Sequence, residues 1–83
     1  KNKPNQDVII FVNGTQKTVD KGPISYREVV TLAFGSYNDA PTIVYTVLYS
    51  SGQGNKPTGT SVDGESVRVT QGMIFHVTRT DNS

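Results

Sequence analysis

Residues 25–35, SYREVVTLAFG, decide the fold because they are the only segment whose apolar residues recur with a helical period. These apolar residues follow the i, i+3, i+4, i+7, i+8 pattern and share one stripe: Tyr26, Val29, Val30, Ala33 and Phe34. A helix of about three turns is marginally stable alone in water. The segment therefore predicts an amphipathic helix whose apolar stripe packs on a β-sheet formed by the rest of the chain.

Both ends of this helix carry recognisable capping residues. Ser25 and Glu28 have the spacing of a capping box, in which each side chain accepts a hydrogen bond from the backbone N–H of the other residue. Gly35 follows the last apolar residue and adopts the left-handed conformation of a helix C-terminus without a steric cost. The helix is therefore predicted to begin after Ser25 and to end before Gly35.

A β-hairpin precedes the helix. Residues 7–12, DVIIFV, are β-branched or aromatic and apolar on both faces, which is typical of a central strand. The Asn13-Gly14 pair is a strong signal for a two-residue type I′ turn into a second strand over residues 15–19. This second strand is polar and carries Lys17, as expected of a strand at the edge of a sheet.

Three further strands are predicted after the helix, over residues 43–49, 65–69 and 73–79. The long segment 50–64 is rich in glycine, serine and threonine, and a loop of that length in a small domain is a candidate binding surface. Polar ends flank the domain. We expect a flexible lead-in over residues 1–6, a domain over 7–79 and a C-terminal tail over 80–83.

The order of hairpin, helix and further strands indicates an α+β fold with one helix across one face of a four- to five-stranded mixed sheet. The first strand, apolar on both faces, is expected at the centre, parallel to the last strand. This arrangement is the β-grasp, or ubiquitin-like, fold. A ferredoxin-like fold is the weaker alternative because it needs a second helix, and the sequence has no second segment of helical period.

Composition limits the classes of function. The chain has 83 residues, which fits a single domain with one core. It has no cysteine, so disulfides, thiol nucleophiles and cysteine-ligated metals are excluded. Eight basic and seven acidic side chains give no field that would attract nucleic acid or an anionic membrane. The sequence has no apolar run long enough to cross a membrane, and we expect a cytoplasmic protein with protein partners.

Signals for catalysis or metal binding are weak. His76 is the only histidine, and it has no orienting partner nearby in sequence, which general base catalysis requires. The carboxylates are scattered singly and have no metal-ligand spacing. The glycines and Lys56 within residues 52–59 do not match a phosphate-binding loop, and no helix follows them. We therefore predict a protein that is not an enzyme and has no catalytic residue, metal or cofactor.

A single helix covers only one face of a sheet, so the other face is a candidate surface for docking a protein. We assign to this surface apolar and polar residues of the third and last strands, together with one residue of the strand between them. They are Val44, Thr46, Leu48, Arg68, Ile74 and His76. The sequence does not fix which row of a strand faces the helix, so Tyr45 and Val47 remain the alternative row.

Several segments together closely resemble the bacterial multiubiquitin domain family. They are FVNGTQKTV, ISYREVVTLAF, VYTVLY and GNKPTGTSVDGESVRVTQGMIFHVTRTDNS. The resemblance runs from about Asp7 to Ser83 and implies a ubiquitin-like β-grasp protein, often encoded in tandem copies. It also implies bacterial ubiquitination-like operons, several of them linked to antiviral defence. Their other products are adenylating and conjugating enzymes and JAB-type peptidases, and the conjugates are isopeptides or esters of target proteins.

The C-terminal tail departs from the pattern of eukaryotic modifiers, which end in Gly-Gly. This chain ends in Thr80, Asp81, Asn82 and Ser83, which are bulkier and more polar. Either the partner enzymes have a wider channel, or processing exposes another residue such as Asn82, or this copy is not conjugated. The leading hypothesis is a ubiquitin-like modifier that is conjugated through its C-terminal carboxylate. The alternative is a non-covalent interaction or scaffold module from a tandem-repeat precursor.

Overall fold

The structure, a computed structural model, describes residues 7–50 and 59–81. The predicted lead-in at 1–6, most of the predicted binding loop (51–58) and the last tail residues (82–83) lie outside the described residues. The elements are β1 (Asp7–Val12), β2 (Thr15–Asp20), β3 (Pro23–Ser25), α1 (Tyr26–Phe34), β4 (Ile43–Ser50), β5 (Gly59–Ser61), β6 (Ser66–Arg68) and β7 (Met73–Asp81). In this part of the chain, no helix is long and apolar enough to span a membrane.

Five strands form one mixed sheet in the order β2-β1-β7-β4-β5. β1 pairs antiparallel with β2 and parallel with β7, so the first strand lies beside the last. β4 pairs antiparallel with β7 on one side and with β5 on the other. Because α1 packs on this sheet through the buried core, the predicted α+β, β-grasp arrangement is confirmed.

The hairpin between β1 and β2 forms as the Asn-Gly pair predicts. Asn13 has a φ of +53° and Gly14 a φ of +83°, the left-handed values that a type I′ turn requires at both positions. Asn13 also reaches beyond the turn. Its side-chain Nδ2 donates to the carbonyl of Val77 at 3.0 Å, and its Oδ1 accepts from the Val77 N–H at 2.8 Å. Asn13 therefore forms the turn through its backbone and ties the turn to the central strand β7 through its side chain.

Two short strands form a separate two-stranded sheet. β3 pairs antiparallel with β6, and Pro23 lies opposite Arg68. The sequence analysis predicted β6 and no strand between residue 19 and the helix, and it placed β5 within a loop. Strands of three residues are too short to show an alternating pattern, so neither β3 nor β5 was recognisable.

The helix has the predicted limits. Ser25 caps it by accepting from the Glu28 N–H at 3.1 Å, and the Glu28 carboxylate accepts from the Ser25 N–H at 3.1 Å. Gly35 ends it in the left-handed conformation, with a φ of +85°. Tyr26, Val29 and Val30 are buried, but Phe34 is 43% exposed, although the centre of its ring lies 5.7 Å from that of Tyr45. The residues in the first two turns of the apolar stripe therefore cover the core. Phe34, the last residue of the stripe, lies at the edge of the core.

The core lies between α1 and one face of the sheet. Each of the three central strands supplies alternate residues to it, and the best buried are Ile10, Val12, Val47, Phe75 and Val77. Tyr26 joins the helix to the sheet through its hydroxyl, which donates to the buried carbonyl of Tyr45 at 2.9 Å. This bond satisfies a polar atom that burial would otherwise leave unpaired.

Tyr26 makes the domain sensitive to alkaline pH. Burial, together with the neighbouring Tyr37, raises the pKa of the Tyr26 hydroxyl above its ordinary value of 10.0. The folded domain therefore holds this proton more tightly than the unfolded chain does. The resulting stability is complete below pH 10 and is lost as the pH rises through the folded-state pKa.

Tyr26→Phe is expected to lower the free energy of unfolding by about 0.5–1.5 kcal/mol at neutral pH, because the Tyr45 carbonyl loses its donor. It should also remove the share of alkaline destabilisation that Tyr26 contributes. Urea unfolding at pH 7 and above pH 10 measures both effects. Tyr49→Phe is the control, since no described residue bonds its hydroxyl. An equal loss in the two variants at both pH values would contradict the role of the Tyr26 hydroxyl.

Candidate functional site: the helix-free face and the C-terminal strand

The face of the sheet opposite α1 is exposed on β4 and β7. Tyr45 and Val47 point toward the helix and are buried, which settles the register that the sequence left open. The intervening residues therefore lie on the opposite side. We call this surface the helix-free face and define it by Val44, Thr46, Leu48, Ile74 and His76, all of which are exposed.

Apolar groups form much of this surface. Val44 is 49% exposed, Ile74 46% and Leu48 36%, which makes them three of the most exposed large apolar side chains of the described chain. Leu48 lies directly opposite His76 on the neighbouring strand. An apolar patch bordered by polar side chains is typical of a surface that another protein covers.

The patch extends farther across the sheet than the sequence analysis assigned. Phe11 on β1 lies beside Ile74 on β7 in the parallel register and therefore on the same face, and both Phe11 and Ile9 are only partly buried. The signal was present in the sequence, because β1 is apolar on both faces and only one face of the sheet packs on a helix.

Arg68 does not belong to the helix-free face, so its assignment there was wrong. It lies in β6, opposite Pro23, in the small second sheet. The error arose because β6 was treated as a strand of the main sheet, whereas its three residues pair only with β3. His76 lies on the helix-free face, where its cross-strand neighbour is Leu48.

The last strand continues two residues beyond its predicted end. Thr80 lies opposite Val44 and Asp81 opposite Ile43, so the first half of the predicted tail is paired with β4. Both residues are exposed, and the Asp81 carboxylate lies 3.9 Å from the guanidinium of Arg79. Because Thr80 and Val44 are cross-strand partners, the first half of the predicted tail lies directly beside the helix-free face.

A family model described as multiubiquitin matches residues 8–81. The chain belongs to the multiubiquitin family. The match covers every helix and strand of the structure except the first residue of β1, so the family assignment and the β-grasp fold describe the same part of the chain. No curated protein and no solved structure matches this multiubiquitin domain.

An ion pair holds the start of the helix of the multiubiquitin domain against the turn that follows β5. The guanidinium of Arg27 donates to both carboxylate oxygens of Asp63, at 3.0 and 3.2 Å, and lies 4.6 Å from the centre of the Tyr37 ring. The hydrogen bonds from Arg27 lower the pKa of Asp63 below its usual 3.8. Both groups are half exposed, so this pair positions the turn more than it stabilises the multiubiquitin domain.

Proposed function

We propose that this multiubiquitin domain is a ubiquitin-like modifier: other enzymes activate its C-terminal carboxylate and attach it to target proteins. The observation that carries the proposal is the family match over residues 8–81, together with the exposed end of the last strand, where Thr80 and Asp81 form the first half of the predicted tail. The domain then acts as a substrate and supplies no catalytic group. We propose the setting to be a cytoplasmic ubiquitination-like pathway of bacteria, with a role in antiviral defence.

The proposed chemistry has three steps, each performed by a partner. An adenylating enzyme joins the carboxylate to the AMP part of ATP and releases pyrophosphate. A conjugating enzyme then receives the acyl group on a thiol and releases AMP, and an amine or hydroxyl of the target displaces that thiol to form an isopeptide or an ester. A JAB-type peptidase hydrolyses the product or trims a precursor.

The tail sets a steric condition on the first step. Thr80 and Asp81 are paired with Val44 and Ile43, so a tail that enters a narrow enzyme channel must first separate these pairs. Strand ends open at low cost, because few buried contacts hold them. A channel that receives this part of the chain must then accept the side chains of Thr80 and Asp81.

Pyrophosphate exchange tests the activation step directly. An adenylating enzyme of the proposed pathway is incubated with the domain, ATP and labelled pyrophosphate, and labelled ATP is counted. We expect exchange that depends on the domain and is lost when residues 81–83 are removed, whereas Lys21→Gln, an exposed change at the opposite end of the sheet from Asp81, leaves it intact. Equal exchange with the truncated domain, or none with an enzyme active on another substrate, would contradict the proposal.

A second candidate function is non-covalent docking through the helix-free face. The exposure of Val44, Leu48 and Ile74 on one surface favours it, because exposed apolar patches mark protein-binding sites. The two functions are compatible, since an adenylating enzyme also has to recognise the body of its substrate. The two functions differ in their dependence on the tail, because removal of residues 81–83 abolishes conjugation and leaves docking intact.

The double variant Leu48→Asp, Ile74→Asp is expected to weaken binding to the adenylating enzyme more than tenfold, since it places charge in the centre of an apolar contact. Its unfolding midpoint should change little, because both side chains are exposed. Binding is measured by titration calorimetry. The control Ser36→Asp, Thr42→Asp adds the same charge at exposed loop positions. Equal binding by the two double variants would show that the helix-free face is not the docking surface.

A further inference from the structure

The parallel pairing of β1 with β7 is short, and a side-chain amide extends it at each end. The backbone register covers only residues 10–12 of β1. At the start of β1, the side-chain oxygen of Gln71 accepts a hydrogen bond from the Ile9 N–H at 3.1 Å. At the end of β1, the side chain of Asn13 bonds both backbone groups of Val77. These two amides therefore hold the ends of the contact between the first and last strands.

The two bonds from Asn13 to Val77 use different atoms of the side-chain amide. The nitrogen Nδ2 donates to the Val77 carbonyl at 3.0 Å, and the oxygen Oδ1 accepts from the Val77 N–H at 2.8 Å. An ionised carboxylate has acceptors only. An aspartate at this position would therefore lose the first bond and place a negatively charged oxygen against the carbonyl oxygen of Val77.

Asn13 is followed by Gly14, and glycine is the neighbour that least hinders attack on an asparagine side chain. In this attack the Gly14 nitrogen bonds to Cγ of Asn13, the Cγ–Nδ2 bond breaks, and ammonia leaves with the proton of the Gly14 N–H. Water then opens the cyclic imide. Cleavage between Cγ and the Gly14 nitrogen gives aspartate, and cleavage between the main-chain carbonyl carbon and that nitrogen gives isoaspartate. The net reaction consumes one water and releases one ammonia.

We propose that Asn13-Gly14 is a self-modification site whose product releases the hairpin from β7. The reaction needs no enzyme and no reactant besides water, and both residues of the turn are exposed to water. The aspartate product cannot donate to the Val77 carbonyl. The isoaspartate product adds a carbon atom to the backbone of a two-residue turn, which then no longer has the type I′ geometry.

The bonds to Val77 make the reaction depend on local opening. While both bonds are formed, they hold the Asn13 amide against β7, so the amide has to leave Val77 before Gly14 attacks it. Asn13 lies just beyond the end of the β1–β7 pairing, where opening does not require global unfolding. We therefore expect the folded domain to react roughly ten- to hundredfold more slowly than the unfolded chain.

The modification is expected to loosen β7 locally and to leave the domain folded. The other end of the β1–β7 contact keeps both of its bonds, because Gln71 still accepts from the Ile9 N–H and the Gly72 N–H donates to the Ile9 carbonyl at 2.7 Å. β7 also stays paired with β4. This inference goes beyond the proposed function and is independent of it, since the reaction proceeds in the isolated domain.

The test is incubation of the domain at mildly alkaline pH, with and without urea, followed by mass spectrometry of proteolytic fragments. Conversion raises the mass of a fragment by one dalton, and fragment ions place the change at Asn13. We expect conversion in both samples and slower conversion in the folded one. Gln71 is the matched internal control, because it is also followed by glycine but has to close a larger ring, so it should stay unmodified over the same time.

Asn13→Asp tests the consequence of the reaction directly. Exchange of the Val77 amide hydrogen is expected to be roughly tenfold faster in this variant than in the unchanged domain. Asn38→Asp is the control, since it makes the same chemical change at an exposed loop residue. The side-chain oxygen of Asn38 accepts from the Ala40 N–H at 3.0 Å, a role that a carboxylate keeps. Val77 exchange should not change in this control.

Three results would overturn the inference. Equal rates of conversion with and without urea would show that the bonds to Val77 do not restrain the Asn13 amide. The site would not react in the folded domain if no product formed there over roughly a hundred times the period that converts the unfolded chain. Unchanged Val77 exchange, in both the converted domain and Asn13→Asp, would show that the product does not release the hairpin from β7.

Discussion

Replacing Ile10 by alanine is expected to lower the free energy of unfolding by about 2–5 kcal/mol, a large share of the stability of a domain of this size. Ile10 is completely buried, on the face of β1 that packs toward α1. Its removal leaves a cavity that a sheet layer closes only partly, because the neighbouring strands are fixed by their backbone bonds. Urea unfolding followed by circular dichroism measures the loss.

Ile9→Ala provides the matched control, since it removes the same atoms from the adjacent residue of the same strand. Ile9 lies on the opposite face and is only partly buried, so its loss should cost less than about 1.5 kcal/mol. The difference between the two variants reports which face of the sheet the helix covers. Equal losses at the two positions would contradict a sheet with one covered face.

Replacing Asn13 by alanine is expected to cost about 2–4 kcal/mol, although Asn13 is an exposed turn residue. Alanine is strained at a φ of +53°, and its side chain leaves the N–H and the carbonyl of Val77 without the Asn13 partners. β1 pairs with β7 only as far as Phe75, so the Asn13 amide extends the contact between these strands by two residues.

Asn13→Gly separates the two contributions. Glycine accepts the left-handed conformation, so this variant loses only the two hydrogen bonds to Val77. We expect it to be more stable than the alanine variant and less stable than the unchanged domain, and to show faster amide exchange at Val77. If Asn13→Gly is as stable as the unchanged domain, Asn13 stabilises the fold only through the conformation of the turn and not through its bonds to Val77.

Local signals in the sequence predicted the elements whose structure depends on neighbouring residues. The capping box of Ser25 and Glu28 and the stop at Gly35 fixed the helix, because each requires contacts within a few residues. The Asn13-Gly14 pair fixed the hairpin for the same reason. The apolar residues on both faces of β1 predicted a strand inside the sheet, and β1 lies between β2 and β7.

The features that the sequence did not predict depend on distant partners. The sequence analysis assigned Asn13 only to the hairpin turn. Its bonds to Val77 were not predicted because they join residues 64 positions apart. Thr80 and Asp81 were assigned to a tail because they are polar, yet β4 is long enough to pair with them. Arg68 was placed on the main sheet because no property of three residues shows which sheet they join.

The most direct measurement of the modifier hypothesis is the mass of the product formed with the adenylating and conjugating enzymes, ATP and target proteins. Under denaturing conditions we expect a species equal to the sum of the domain and a target minus one water, with fragment ions that place the bond at the carboxylate of the tail. If only unmodified masses are found while the same enzymes conjugate another ubiquitin-like substrate, the domain is not a modifier.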